Sequence, residues 1–93
     1  MREREIERKL IQAVRRSGGL ALKFVSPGVN GVPDRLLLFP GGKMAFCEVK
    51  APGEIPRPMQ MHRIEQLQQL GFRVYVVDNE KQIGGILDEI LSA

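Results

Sequence analysis

The chain has little of what cross-linked, zinc-thiolate or base-stacking proteins are made of. Among its 93 residues there is one cysteine, Cys47, one histidine, His62, one tyrosine and no tryptophan. A single cysteine forms no disulfide within the chain, so a disulfide-stapled scaffold is excluded and a reducing, cytoplasmic setting is expected. One Cys and one His do not complete a tetrahedral zinc site of thiolate and imidazole ligands. The five aromatic rings, Phe24, Phe39, Phe46, Phe72 and Tyr75, fall in strand-like stretches. That disfavours a small RNA-binding protein working through stacked bases. No apolar run approaches the roughly 20 residues of a membrane span. The opening Met1-Arg2-Glu3-Arg4-Glu5 has no apolar segment behind it and does not read as a secretory signal. Repeats, low-complexity tracts and linkers are absent too, so residues 1–93 are expected to form one domain, with no membrane partner and no small-molecule cofactor.

What is present is ordinary in amount and unusual in arrangement. The apolar fraction is 43% and the charged fraction 27%, and 14 Lys and Arg against 11 Asp and Glu leave a net charge of +3. That is a mild lean toward anionic partners, and the position of the charge says more than its total. A chain this short buries a limited core, which a dimer interface would extend.

Residues 3 to 17 predict a helix. Ile6, Leu10, Ala13 and Val14 form one apolar stripe, and Ser17-Gly18-Gly19 ends it. Arg4, Arg8, Lys9, Gln12, Arg15 and Arg16 occupy the opposite face as a basic flank suited to a phosphate backbone. Arg8 and Arg15, with Lys23, Ser26 and Arg35 further on, are the candidate nucleic-acid contacts. Glu7 is the odd residue, for it projects between Ile11 and Val14 at the edge of the stripe, where a carboxylate is unusual unless something positive waits there.

Three strands are predicted next: 20 to 25, 34 to 39, and 43 or 44 to 50. The first two are joined by a loop with the turn pairs Pro27-Gly28 and Asn30-Gly31, the last two by Pro40-Gly41-Gly42. Leu36-Leu37-Leu38-Phe39 is apolar at every position, so the second strand is expected to be central and covered on both faces. Cys47 reads as a small buried hydrophobe. A second helix is expected from Pro58 to about Leu70, with Gln60 facing inward and His62 outward. A strand from 72 to 77 follows, then a last helix capped by Asp78 or Asn79, with inner face Ile83, Ile86, Leu87, Ile90 and Leu91. Gly84-Gly85 predicts either close packing there or a late helix start. The order is αβββαβα, a small α/β domain with a mixed sheet.

Asp34 opens the second strand, and Glu48 and Lys50 stand two apart on its hairpin partner, hence on one face. Two carboxylates beside an ammonium are poor core material and good material for holding a divalent cation against a phosphodiester. Asp34 and Glu48 are the expected ligands, with the Val49 backbone carbonyl as a third. Lys50 is placed to orient or deprotonate an attacking water. Glu7 would hold a metal-bound water or a second ion, and Gln60 would hydrogen-bond Lys50 or the substrate. Each fragment is common alone. Together they give four local oddities one explanation.

The series Glu7, Gly31-Val32-Pro33-Asp34, Glu48-Val49-Lys50 and Gln60 resembles the PD-(D/E)XK nuclease superfamily. With Ser26-Pro27-Gly28 through Arg35 it resembles, more narrowly, the VRR-NUC family of virus-type replication-repair nucleases, in its short stand-alone form. The resemblance covers nearly the whole chain. It implies a restriction-endonuclease-like core, Mg²⁺ with Mn²⁺ as substitute, branched DNA as partner, and a phage or bacterial enzyme acting at DNA as a homodimer on Holliday junctions, leaving 5′-phosphates. It implies Asp34, Glu48 and the Val49 carbonyl as ligands, Lys50 as catalyst, and Glu7 and Gln60 in support. A monomeric flap or nicking nuclease and a non-cutting DNA-binding module are the alternatives. The last helix and the strand 72 to 77 are the expected dimer surface, from their apolar content.

Overall fold

In the computed structural model, which describes residues 1–93, the elements are α1 (Glu3–Arg16), β1 (Leu20–Lys23), β2 (Arg35–Phe39), β3 (Lys43–Val49), α2 (Pro58–Gln69), β4 (Val74–Val77) and α3 (Ile83–Leu91). The αβββαβα order is met. The four strands form one sheet in the order β1-β2-β3-β4, the first two pairings antiparallel and the third parallel. Only the parallel step needs a long return, and α2 supplies it.

Turn chemistry fixes the hairpin between β2 and β3. Pro40–Gly42 closes it as a tight turn, with Gly41 and Gly42 at φ of 82° and 74°, a conformation that glycine adopts without a Cβ penalty. The register then pairs Arg35 with Cys47, Leu37 with Ala45 and Phe39 with Lys43.

Alternation divides the sheet into two unlike faces. Leu37, Phe39, Ala45, Cys47 and Val49 meet Ile6, Leu10 and Val14 of α1 and Ile83, Ile86, Leu87 and Ile90 of α3 in the main core. The other face carries Leu36, Leu38, Phe46 and Glu48, with α2 over one end through Gln60 and Ile64. Leu36 and Leu38 are only half-buried, and Leu20 and Leu22 beside them are exposed. β2 is central, as expected, but one of its faces is only partly covered, because α2 crosses from β3 to β4 and does not reach β1.

Two expectations for the C-terminal part are corrected. α3 begins at Ile83 after a 3₁₀ turn (Glu80–Gln82) capped by the Asn79 side chain, so Gly84 and Gly85 fall in its first turn. No atom lies within 4 Å of where their Cβ atoms would be, so they serve no close packing within the chain. The apolar face of α3 is likewise spent on the core and is not available to a second subunit.

Candidate active site

The site lies where β2 begins and β3 ends, beneath the start of α2. Glu48 sits at the C-terminal end of β3 and is 1% exposed. Its environment is built from three directions. The backbone N–H of Asp34 donates to Glu48 Oε1 at 3.2 Å, the Gln60 amide donates to Oε2 at 2.9 Å, and Lys50 Nζ stands 3.0 Å from the same Oε2. Asp34 returns the contact, its Oδ2 accepting from Val49 N–H at 3.2 Å. Gln60 is held by its own helix end, since its Oε1 accepts from Arg57 N–H at 2.9 Å. That bond closes the first turn of α2 and aims the other end of the amide at Glu48.

Burial pushes the Glu48 carboxyl above its ordinary range, and the neighbouring Asp34 carboxylate adds to this. The hydrogen bond and the charge of Lys50 oppose it. An acid kept ionised in such a place needs positive charge, and Lys50 supplies part of it. Behind β3, Cys47 is wholly buried in the core, and desolvation aided by the two carboxylates raises its thiol to about 12. It is the inert hydrophobe expected.

The donor set fits a hard divalent cation. Each carboxylate has about four lone-pair sites. The contacts above use one on Asp34 and three on Glu48. No third Asp, Glu, His or Cys is close enough to complete a cage of side chains. Two carboxylates, with water and substrate oxygens for the rest, is how Mg²⁺ is commonly held.

Strand register adds a feature that sequence inspection passes over. The N–H groups of Phe46 and Lys50 donate to Arg73, just before β4, and to Val77 of β4, so the backbone of Val49 between them faces β2. Continued two residues beyond Arg35 and Cys47, the ladder sets residue 33 opposite Val49. Residue 33 is proline and has no N–H to donate. The Val49 carbonyl therefore lacks its ladder donor beside the two carboxylates. The signal is the Pro-Asp pair itself, once its register is known.

Two expected site residues are placed elsewhere. Glu7 does not join the acids. Its Oε2 accepts from Arg35 Nε at 3.1 Å on the α1 face of the sheet, opposite to Glu48. The positive group waiting for this carboxylate is Arg35, and that pairing leaves Glu7 poorly suited to a metal. Arg35 in turn is not free for DNA, for its guanidinium also donates to Ala21 O at 3.3 Å and ties α1, β1 and β2 together. Of the basic flank, Arg4, Arg8, Arg15 and Arg16 are exposed, whereas Lys9 is paired with Glu80. Lys23 is exposed at the end of β1, and Ser26 lines a cavity beside Gln60. His62 faces outward.

A buried glutamate paired with a lysine at a strand end, with an adjacent Asp after a loop, is an arrangement suited to phosphodiester hydrolysis on an α/β sheet. The comparisons agree. The chain is 51% identical over 80 residues to "Putative nuclease p44" of Acyrthosiphon pisum secondary endosymbiont phage 1, covering 86% of each sequence. It superposes on the solved structure of a VRR_NUC domain with a TM-score of 0.87 at 30% identity, covering 92% of this chain and 94% of that one. No family model matches the sequence. The chain belongs to the VRR-NUC family of nucleases.

Proposed function

We propose that the chain is a divalent-metal-dependent DNA endonuclease selective for branched DNA, working as a homodimer on four-way junctions and leaving 5′-phosphate ends. The observation that carries this is the juxtaposition of buried Glu48 with partly buried Asp34 and Lys50, held by Gln60. A bound Mg²⁺ or Mn²⁺ supplies charge neutralisation at the phosphate and a water of lowered pKa. Asp34, Glu48 and the Val49 carbonyl are the groups that would hold it. Gln60 and the Asp34 N–H fix the Glu48 carboxylate in one orientation. Lys50 points at the same carboxylate, where its ammonium offsets phosphate charge and positions the proton of the attacking water. Arg8, Arg15 and Lys23 guide the phosphate backbone. Glu7 and Arg35 act at one remove, fixing α1 to the strand that begins with Asp34's neighbour.

Two strands of a junction are cut symmetrically by two sites related by a two-fold axis. The exposed apolar stretch of the sheet, Leu20 and Leu22 with half-buried Leu36, Leu38 and Met44, favours such a dimer over a monomeric flap nuclease, because contiguous apolar surface left in water is costly. The deciding experiment gives the purified protein labelled four-way junctions, flaps and linear duplex with and without Mg²⁺. Paired symmetric nicks in the junction, dependent on the ion, are expected. Cutting confined to flaps would transfer the reading to a monomeric flap nuclease, and binding without cutting would reduce the chain to a DNA-binding module.

A further inference from the structure

A cavity of about 490 Å³ opens on the far side of Gln60 from Glu48, between the loop after β1 and the start of α2. Its walls include Phe24, Val25, Val29 and Met59, with Arg57, Gln60, Ser26 and Asn30 as polar side chains. We infer that this cavity receives the base of an unpaired nucleotide flanking the phosphodiester that is cut, with Arg57 meeting the adjoining phosphate. The inference rests on the nuclease reading above and names the part of the substrate that the site selects.

Four features converge on that occupant. Gln60 belongs both to the cavity wall and to the hydrogen bond on Glu48 Oε2, so the cavity and the Glu48 carboxylate are one side chain apart. Val25, Val29 and Met59 are 67%, 41% and 51% exposed, an apolar surface at the mouth of a site otherwise built from charge. Phe24 contributes an aromatic ring, braced from behind by Phe46 at a centroid distance of 5.6 Å. Arg57 forms no ion pair within the chain and is exposed. An apolar and aromatic wall with a free guanidinium at its edge suits a nucleotide, which has a flat π-face and a phosphate a few bonds apart.

The walls are preformed. Gly31, at φ 80°, brings the loop so close to α2 that a Cβ there would stand 2.7 Å from Met59 O. Arg63 Nε donates to Asn30 O at 2.9 Å and ties the same loop to the helix. A base within an intact duplex enters such a concavity only at a cost of about a few kcal/mol in unpairing and unstacking, whereas an unpaired one at a branch point enters at a smaller cost. Selectivity for branched DNA then has a structural source in each subunit.

The test couples loss of the base to loss of the wall. Branched substrates are made with a natural nucleotide or an abasic tetrahydrofuran residue on either side of the cut phosphodiester. They are given, with Mg²⁺, to the wild-type protein and to a Val25→Ser/Val29→Ser/Met59→Ser variant, whose changes lie at exposed positions and whose folding is checked by thermal melting. In the wild type, removing the base at one of the two positions is expected to lower kcat/KM about tenfold, as for loss of one stacked base. In the variant, already slower on the intact substrate, the same removal is expected to change the rate less than about twofold. Arg57→Gln, which leaves the apolar wall intact, should slow both substrates alike. Base removal without effect at both positions in the wild type, or an equal loss in wild type and variant, overturns the inference while leaving the nuclease reading in place. Absence of any metal-dependent cutting by the wild type overturns both.

Discussion

Glu48 is the residue on which the site turns, and its titration links metal, pH and stability. Folding raises its pKa, chiefly by burial. Its favourable contribution to the metal-free protein is therefore fully present below the ordinary carboxylate range and is lost as pH rises through the raised value. With Glu48 as the proposed ligand, a divalent cation would bind the ionised form and gain over the same interval. Saturating Mg²⁺ should accordingly raise Tm more at pH 7.5 than at pH 5, as followed by thermal unfolding, and an equal rise at both would argue against Glu48 as a ligand. Lys50→Ala removes the ammonium 3.0 Å from Glu48. It should slow Mg²⁺-dependent cleavage by roughly 10²- to 10⁴-fold while DNA binding largely persists. Asp34→Ala should likewise abolish cutting without unfolding the chain, and retained cleavage in both variants would sink the assignment. At this scale the sequence was most legible where spacing alone decides. Two residues apart on a strand means one face, and Glu48 with Lys50 is that case. It was least legible for Glu7, because a helical wheel gives a direction and not the group that stands there. Arg35 lies 28 residues away in the chain, and each of the two, read alone, looked free for another task.

At the scale of elements, the loop between β1 and β2 and the hairpin between β2 and β3 both depend on glycine, for different reasons. Gly41 has φ 82° and open space around its missing Cβ, whereas Gly31 has φ 80° and Met59 backbone and side-chain atoms within 3.0 Å. Gly41→Ala should cost only the backbone penalty, about 1–2 kcal/mol. Gly31→Ala should cost this and a steric displacement of the loop from α2, for a total of roughly 2–4 kcal/mol by urea unfolding. It should also reduce cleavage, since Asp34 follows that loop and Gln60 lies on that helix. Equal destabilisation of the two variants would show that the loop yields freely. The element order was readable from periodicity and turn residues throughout. The open conformation of the Val49 carbonyl was not, since it follows from which way each strand's backbone faces, and a sequence carries no hydrogen-bond register until the partner strand is known. Pro33 acquires its meaning only then.

At the scale of the whole molecule, the asymmetry of the sheet is what remains to be used. One face has α1 and α3 packed across it, while the other has α2 over one end only. The sequence pointed to α3 and the strand 72 to 77 as the surface for a second subunit because it counts apolar residues without saying which of them the monomer already consumes. Ile83, Ile86, Leu87 and Ile90 are consumed. Leu20 and Leu22, at 57% and 43% exposure, are not. They lie on the face that also carries Glu48, since β1 pairs with β2 in a register that sets Leu20 beside Leu38 and Leu22 beside Leu36. Replacing both by serine removes apolar surface that the monomer leaves in water, so the unfolding free energy of the monomer should move by no more than about 1 kcal/mol for the pair. If the face joins two copies, the same change should weaken dimerisation by about tenfold or more, as sedimentation at graded concentration measures. Junction cleavage should then pass from paired symmetric nicks to single ones, while each remaining nick still requires Mg²⁺ and Lys50. A dimer of unchanged affinity in the serine variant would move the interface elsewhere, with the edge of β4 around half-exposed Phe72 the next surface to test.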